Sequence, residues 1–312
     1  MDLMMAGLGL LILVLAGDAL VRGAVNMSLR LGVPALIVSL TIVAFGTSAP
    51  ELLVSINAIR LGSPGIALGN VVGSNTANVL LVLGIPAMIS VIHMTGSDTR
   101  KSYLMMLGAS ALFIALCFAG PLTWWHGLIL LAGMLVMLGD QLRDALAHRR
   151  AGQDAEEVEG ADPSMRWWKI GMFLVLGLIG LPLGADLLVD ASTAIARRYG
   201  VSETVIGLTL VAIGTSLPEL ATTVMAAIRR QADVAMGNVI GSNMFNLLGI
   251  MGIAALVGPI PVEARFLSFD LWVMLASGLV LAPFVFLRWR MGRRWGIGFT
   301  ALYLVYLLLV IW

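Results

Sequence analysis

The fold is decided by the stretch Val33–Pro86, which contains Gly46-Thr47-Ser48-Ala49-Pro50-Glu51 and then Gly69-Asn70-Val71-Val72-Gly73-Ser74-Asn75-Thr76-Ala77-Asn78. The same sequence pattern is repeated 168 residues later, as Gly214-Thr215-Ser216-Leu217-Pro218-Glu219 and then Gly237-Asn238-Val239-Ile240-Gly241-Ser242-Asn243-Met244-Phe245-Asn246. Without gaps, 23 of the 54 aligned positions are identical. The identities include Gly, Thr, Ser, Pro, Glu and Asn, so shared hydrophobicity does not explain them. We interpret the chain as two copies of one half, each contributing a buried carboxylate to a shared site.

The composition indicates a polytopic membrane protein. Hydrophobic residues make up 59% of the chain and charged residues only 12%, whereas soluble domains are about a quarter charged. The net charge of +1 gives no indication of a nucleic-acid partner. Cys117 is the only cysteine, so a disulfide framework is excluded. No basic region precedes the first apolar run, which we therefore interpret as a retained helix and not a signal peptide.

Ten segments are apolar over the length of ~20 residues that a helix needs to cross a bilayer. We expect an all-α membrane protein with helices near 3–28, 34–60, 66–92, 103–119, 123–141, 168–195, 202–228, 234–258, 268–287 and 296–312. The first five map onto the last five, and because five is odd the two repeats must have inverted topologies, as in many secondary transporters. The predicted domains are a first repeat over 1–141, a polar cytoplasmic linker over 142–167 and a second repeat over 168–312.

The distribution of basic residues predicts the orientation. If the N-terminus faces outside, 15 of the 19 Lys and Arg residues lie on one side of the membrane. The side richer in Lys and Arg is cytoplasmic, so we expect both termini outside, in the plasma (inner) membrane of a prokaryote.

Glu51 and Glu219 lie in the second and seventh predicted helices, where a charge costs roughly 2.5–3.5 kcal/mol on insertion scales. No Lys or Arg lies near either residue along its helix. The expected partner is therefore a mobile cation, and two carboxylates suit one divalent ion.

Neighbouring positions add oxygen atoms on the same helix faces. Thr47 and Ser48 precede Glu51 by four and three residues, and Thr215 and Ser216 repeat this spacing before Glu219. The prolines beside the glutamates free backbone carbonyls, which irregular helices can present to a cavity at membrane depth. The third and eighth helices contribute hydroxyls and amides, at Ser74, Asn78, Ser242 and Asn246. Carboxylate, carbonyl and hydroxyl oxygens suit Ca²⁺ or Na⁺ and are poor ligands for zinc or copper.

Two further features are repeated in both halves. Glycines spaced by four, at Gly69 and Gly73 and at Gly237 and Gly241, predict close helix packing. Asp18 and Asp186 occupy equivalent positions, and we expect them to form structural hydrogen bonds, since acids within the membrane usually pair.

The paired Gly-Thr-Ser-x-Pro-Glu and Gly-Asn-x-x-Gly-Ser-Asn-x-x-Asn motifs resemble the two alpha repeats of the sodium/calcium exchanger family, within the cation/calcium antiporters. The ten helices and short linker resemble its prokaryotic branch. The resemblance implies that Glu51 and Glu219 bind calcium with the backbone carbonyls of Thr47 and Thr215. It also implies flanking sodium sites, one built from Ala44, Thr47, Ser48 and Ser242 and the other from Ala212, Thr215, Ser216 and Ser74.

In the same resemblance, Asn78 and Asn246 line the middle of the site, and helices one and six slide against a rigid core. Some family members carry Asp where this chain has Asn246, so the centre here holds two carboxylates instead of three.

The leading hypothesis is a Na⁺/Ca²⁺ antiporter that works as a monomer in the lipid bilayer, with Ca²⁺ and Na⁺ as transported ligands and no cofactor. The nearest alternative is a Ca²⁺/H⁺ or K⁺-dependent exchanger that uses the same carboxylates. A passive cation channel is less consistent with an inverted duplication around a polar centre. No nucleophile–base pair or metalloprotease spacing indicates an enzyme.

Overall fold

A computed structural model describes residues 2–92, 97–151, 162, 164–200 and 212–311. These residues form helices throughout, joined by short turns. We number the α-helices α1 (Asp2–Leu31), α2 (Ala35–Val38), α3 (Ala44–Thr47), α4 (Ala49–Arg60), α5 (Pro64–Ala77), α6 (Gly84–Ile89), α7 (Ser97–Phe118), α8 (Trp124–Ala151), α9 (Trp167–Arg198), α10 (Ala212–Thr215), α11 (Leu217–Ile228), α12 (Ala232–Met244), α13 (Met251–Val257), α14 (Leu271–Val280), α15 (Ala282–Phe286) and α16 (Arg293–Ile311). Four π-helical segments continue them, at Ser39–Val43, Asn78–Val82, Phe245–Ile250 and Phe266–Asp270.

The described residues contain eight helical spans long and apolar enough to cross a membrane, or nine when the bent pair Ala35–Thr47 and Ala49–Arg60 is one span. The expected all-α membrane protein is therefore confirmed at this level. The seventh predicted helix, over 202–228, begins in residues 201–211, which lie outside the described part of the chain. Its described portion includes the short apolar helix Leu217–Ile228.

Burial separates the spans into a central and an outer group. In the apolar windows of Pro64–Ile89 and Ala232–Val257, 78% and 89% of the residues are buried. In Trp167–Arg198 and Arg293–Val310 the share is 22%, so most of their apolar side chains face outward, as lipid contact requires. The two spans that carry the Gly-Asn-x-x-Gly-Ser-Asn motifs therefore form the centre of the molecule.

Two helices are interrupted next to the prolines of the repeated motif. The predicted helix 34–60 is not continuous, because α3 ends and α4 begins around Ser48, with a bend of 42° between the two parts. Ser216 separates α10 from α11 with nearly the same backbone angles as Ser48. Pro50 and Pro218 cause these breaks, because a proline has no N–H and its ring crowds the carbonyl four residues back.

The repeat in the sequence is also visible in the elements. Helices α4 and α11 have 12 residues each and begin 168 positions apart. The π-helical segments that follow α5 and α12 begin at Asn78 and Phe245. The same sequence pattern thus forms the same local structure in both halves.

Glycines allow α12 to lie directly against the segment that leads to the first break. A Cβ atom at Gly241 would lie 2.6 Å from both the Ala44 Cβ and the Leu40 carbonyl oxygen, and one at Gly237 would lie 2.7 Å from the Ser39 Cβ. The predicted close approach is therefore found for this pair. No described atom lies within 4 Å of a Cβ built at Gly73, and only the Phe266 ring is near Gly69.

Two details differ from expectation. The fifth predicted helix, 123–141, extends as α8 to Ala151, so the polar stretch begins within a helix. The Asp18 carboxylate forms ion pairs with Arg22 and Arg229. It therefore links α1 to the end of α11, which is the structural role expected for this residue. Asp186 forms no ion pair with any described residue, so the expected structural bond is seen in one repeat only.

Candidate cation site

The helix breaks place both glutamates at helix N-termini. Glu51 lies in the first turn of α4 and Glu219 in the first turn of α11. Their exposed fractions are 1% and 0%. Because the N-terminus of a helix carries partial positive charge from unpaired N–H groups, it stabilises a carboxylate there. This placement lowers the cost of burying the two charges.

The carboxylate of Glu219 reaches across to the first break. Its Oε1 accepts a hydrogen bond of 2.9 Å from the Ser48 hydroxyl and a longer one of 3.5 Å from the Ser242 hydroxyl. Ser48 immediately precedes α4, whose first turn carries Glu51. The two repeats therefore meet where Glu219 bonds Ser48, which lies three residues before Glu51.

Thr47 makes further contacts between the two repeats. Its hydroxyl lies 3.5 Å from the Ser242 hydroxyl, and its single proton has two acceptors within reach, the Asn238 side-chain oxygen at 3.2 Å and the Ala44 carbonyl at 3.3 Å. Thr47, Ser48, Ser242 and Glu219 thus form one connected group that joins α3 and its break to α11 and α12. All four side chains are buried.

Several buried oxygen atoms in this region have no hydrogen-bond partner among the described residues. They are Oε2 of Glu51, Oε2 of Glu219, Oγ of Ser216, Oδ1 of Asn78 and Oδ1 of Asn246. Buried polar atoms are rarely left unpaired, because each loses its bonds to water. Atoms of this kind that belong to carboxylates, hydroxyls and amides together provide ligands for a cation.

The chemistry of the donor set agrees with a hard cation. No Lys, Arg or His in the described part of the chain bonds to either glutamate. The described residues also contain no group of three His, Cys, Asp or Glu side chains that could hold a metal ion. Two carboxylates with neutral oxygens around them suit Ca²⁺ or Na⁺ better than a transition metal.

The remaining predicted residues lie as follows. Ser74 is buried in α5, and Thr215 is half-buried at the end of α10. Ala44 is buried, and its carbonyl accepts bonds from the Thr47 hydroxyl and the Ser48 N–H. The backbone of Ala212 begins α10. The structure thus connects Thr47, Ser48, Ser242 and Glu219 directly and places the other members on the same or adjoining helical segments.

Two asparagines were missed as site residues. The Asn70 amide donates to the Glu51 carbonyl at 3.2 Å and to Ser55 Oγ at 3.1 Å. The Asn238 amide makes the equivalent bonds to the Glu219 carbonyl at 3.2 Å and to Thr223 Oγ1 at 3.0 Å. Each asparagine fixes the helix turn that carries a glutamate, and the repeated Gly-Asn pair at a constant distance of 19 residues was the signal.

Comparison with known proteins identifies the family of this chain. The family model described as "Sodium/calcium exchanger protein" matches residues 2–141 and 169–312. The chain belongs to the sodium/calcium exchanger family. The expected family resemblance is therefore confirmed, and the match covers both halves of the chain.

Individual relatives are similar over nearly the whole chain. The sodium/calcium exchanger MaX1 of Methanosarcina acetivorans is 33% identical and covers 97% of this chain and 96% of its own. The putative antiporter CaxA of Alkalimonas amylolytica is 34% identical over 91% of this chain and 89% of its own. A structure of the sodium-calcium exchanger NCX_Mj, soaked with Na⁺ and Sr²⁺, superposes with a TM-score of 0.84 at 33% identity, covering 97% of this chain and 96% of NCX_Mj.

Proposed function

We propose that this protein exchanges Na⁺ for Ca²⁺ across the plasma membrane by alternating access, with both cations competing for a site centred on Glu51 and Glu219. One observation carries the proposal. Two buried carboxylates lie in the first turns of two broken helices, each with an oxygen that no described residue bonds, within one cluster contributed by both repeats. The names of the relatives, an exchanger and an antiporter, support the same activity.

In this proposal Ca²⁺ is bound by Glu51 and Glu219 together with the backbone carbonyls of Thr47 and Thr215, and the two carboxylates balance its charge. Sodium occupies the same centre and two flanking sites. One flanking site uses Ala44, Thr47, Ser48 and Ser242, and the other uses Ala212, Thr215, Ser216 and Ser74. Asn78 and Asn246 line the middle. The connected cluster of Thr47, Ser48, Ser242 and Glu219 supports the first of these sites.

Competition for shared oxygens couples the two fluxes. If sodium must occupy ligands that calcium needs, the site carries one kind of cation in each direction, and an inward sodium gradient drives calcium out.

Movement of α1 and α9 against the buried centre would open the site to each side in turn. These two helices pack on each other along small residues: a Cβ at Gly184 would lie 2.9 Å from the Leu13 backbone nitrogen. This close contact between small residues is consistent with two helices that move as one unit.

The proposed architecture has ten membrane-spanning helices in two inverted repeats, residues 1–141 and 168–312, separated by a cytoplasmic linker over 142–167. The equal lengths of helices α4 and α11 and the interruption of the family match after residue 141 support this division.

The distribution of Lys and Arg supports outside locations for both termini. The protein acts as a monomer, is not an enzyme and needs no cofactor. Protease cleavage within 142–166 from the cytoplasmic side alone tests this orientation.

Sodium-dependent uptake of ⁴⁵Ca²⁺ into proteoliposomes tests the proposal. We expect Glu51→Gln and Glu219→Gln each to abolish uptake, because a neutral amide replaces half of the charge that balances Ca²⁺. Glu263→Gln makes the same chemical change at an exposed residue and serves as the control.

Uptake at the wild-type rate in either site variant would contradict the assignment. Sodium, potassium and proton gradients imposed separately test the driving ion. Calcium uptake driven by a pH gradient in the absence of sodium would replace sodium exchange with the Ca²⁺/H⁺ alternative. Calcium flux that shows neither saturation nor counterflow would indicate a channel.

A further inference from the structure

A chain of three buried side chains ends at a predicted site residue. Asn78 Nδ2 donates to Asn243 Oδ1 at 3.0 Å, and Asn243 Nδ2 donates to the Met106 sulfur at 3.6 Å. The exposed fractions of Asn78, Asn243 and Met106 are 1%, 4% and 1%. Neither Asn243 nor Met106 is among the cation ligands of the proposed function, on which this inference rests.

The direction of this chain follows from chemistry. A thioether sulfur accepts a hydrogen bond but has no proton to donate. Asn243 must therefore turn its NH₂ group toward Met106, and its oxygen is left to face Asn78. Asn78 must in turn present its own NH₂ group to Asn243, so its Oδ1 is directed away from this contact. The sulfur of Met106 thereby sets the orientation of two amides.

The orientation set by Met106 determines which atom of the Asn78 amide is left without a partner. Its Oδ1 is buried and bonds to no described residue. Asn78 begins the π-helical segment Asn78–Val82, which packs against α11, the helix that carries Glu219. With the amide fixed this way, the group available to the cation site is an acceptor. With the amide reversed, an NH₂ donor would face the cation and repel it.

We propose that Met106 and Asn243 are positioning residues that hold the oxygen of Asn78 toward the cation site. The duplication gives a second trio of the same residue types, because Met274, Asn75 and Asn246 stand 168 positions from Met106, Asn243 and Asn78. There both amides are buried and bond to no described residue. In this conformation the side chains of the first trio are hydrogen-bonded to one another, and the two amides of the second trio are not.

Exchange kinetics of the full-length protein in proteoliposomes test the proposal. Met106→Leu keeps the volume of the side chain and removes the acceptor. We expect the KM for Ca²⁺ to rise roughly three- to tenfold, the effect of losing one neutral ligand, with maximal rate and thermal stability close to those of the control. Met137→Leu is the matched control, since Met137 is 2% exposed in the same apolar core.

A double-mutant cycle separates positioning from packing. If Met106 acts through Asn78, Met106→Leu has no further effect on KM in an Asn78→Ala background. Asn243→Ala gives a second, independent variant with the same expected dependence on Asn78. A KM for Met106→Leu equal to that of Met137→Leu would overturn the proposal, and so would an effect that persists in full without the Asn78 amide.

The failure of this proposal can be told apart from the failure of the proposed function. If Glu51→Gln abolishes exchange while Met106→Leu and Asn243→Ala keep the wild-type KM, the positioning role alone is wrong. If Glu51→Gln retains exchange, the cation site itself is wrong, and the positioning role is overturned with it.

Discussion

The surroundings of Glu51 and Glu219 lower the free-energy cost of placing a charge inside the membrane. Each is placed at the positive end of a helix by a break that a neighbouring proline causes. Their backbone carbonyls are held by Asn70 and Asn238, so the turn that presents each carboxylate is fixed. The Oε2 atom of each carboxylate bonds no described residue, and these atoms are the ligands that the proposed cation site uses.

Ser48 gives a prediction at the scale of one residue. Its hydroxyl donates the 2.9 Å bond to Glu219 that links the two repeats. A hydrogen bond to a charged group contributes about 1.5 kcal/mol or more, so we expect Ser48→Ala to raise the KM for Ca²⁺ about tenfold. The measurement is the calcium dependence of ⁴⁵Ca²⁺ uptake at fixed sodium.

Ser277→Ala is the control for this variant, because Ser277 is also buried and its hydroxyl donates to the Met274 carbonyl of its own helix. A KM for Ser48→Ala that matches the KM of Ser277→Ala would show that Ser48 has no part in cation binding.

At the scale of the element, the decisive feature is the interruption between α3 and α4. Pro50 cannot donate a hydrogen bond to the carbonyl four residues back, which belongs to Gly46. The bend of 42° then turns α4 so that its first turn begins beside the hydroxyls of Thr47 and Ser48. The π-helical segments beside α5 and α12 are a second irregularity next to the same centre, where such bulges often serve function.

Pro50→Ala tests the role of this break. An alanine restores the missing N–H and favours a straight helix, so we expect equal or higher thermal stability but a KM for Ca²⁺ raised at least tenfold. Melting temperature and uptake kinetics of the purified protein give the two readouts.

Pro64→Ala provides the comparison, since Pro64 opens α5 at a position where proline is tolerated. Unchanged calcium kinetics in Pro50→Ala would mean that the break does not position Glu51.

The elements also show what sequence reasoning could and could not reach. The repeated Pro-Glu pair predicted broken helices, since proline chemistry is local. The same pattern did not reveal that the glutamates lie in first turns, because that depends on where hydrogen bonding resumes after Ser48 and Ser216. The continuation of α8 from residue 141 to Ala151 was missed because polar residues continue a helix as readily as apolar ones.

At the scale of the whole molecule, the duplication explains why one site can be built from residues 168 positions apart. Each half contributes one broken helix and one buried glycine-rich helix, and the halves meet where Glu219 bonds Ser48. Composition and the repeat were sufficient to predict an all-helical membrane protein of this family. The hydrogen bonds from Asn78 to Asn243 and from Asn243 to Met106 were not predictable, because the register of α7 against α12 is fixed by packing.

The central claim is that two acidic residues, one from each half, hold a common cation. Equilibrium binding of ⁴⁵Ca²⁺ to the purified protein, with sodium as competitor, tests it most directly. The account predicts saturable calcium binding that sodium displaces and that both Glu51→Gln and Glu219→Gln eliminate, while Glu263→Gln leaves it unchanged. Calcium binding that survives in either site variant, or that sodium does not displace, would contradict it.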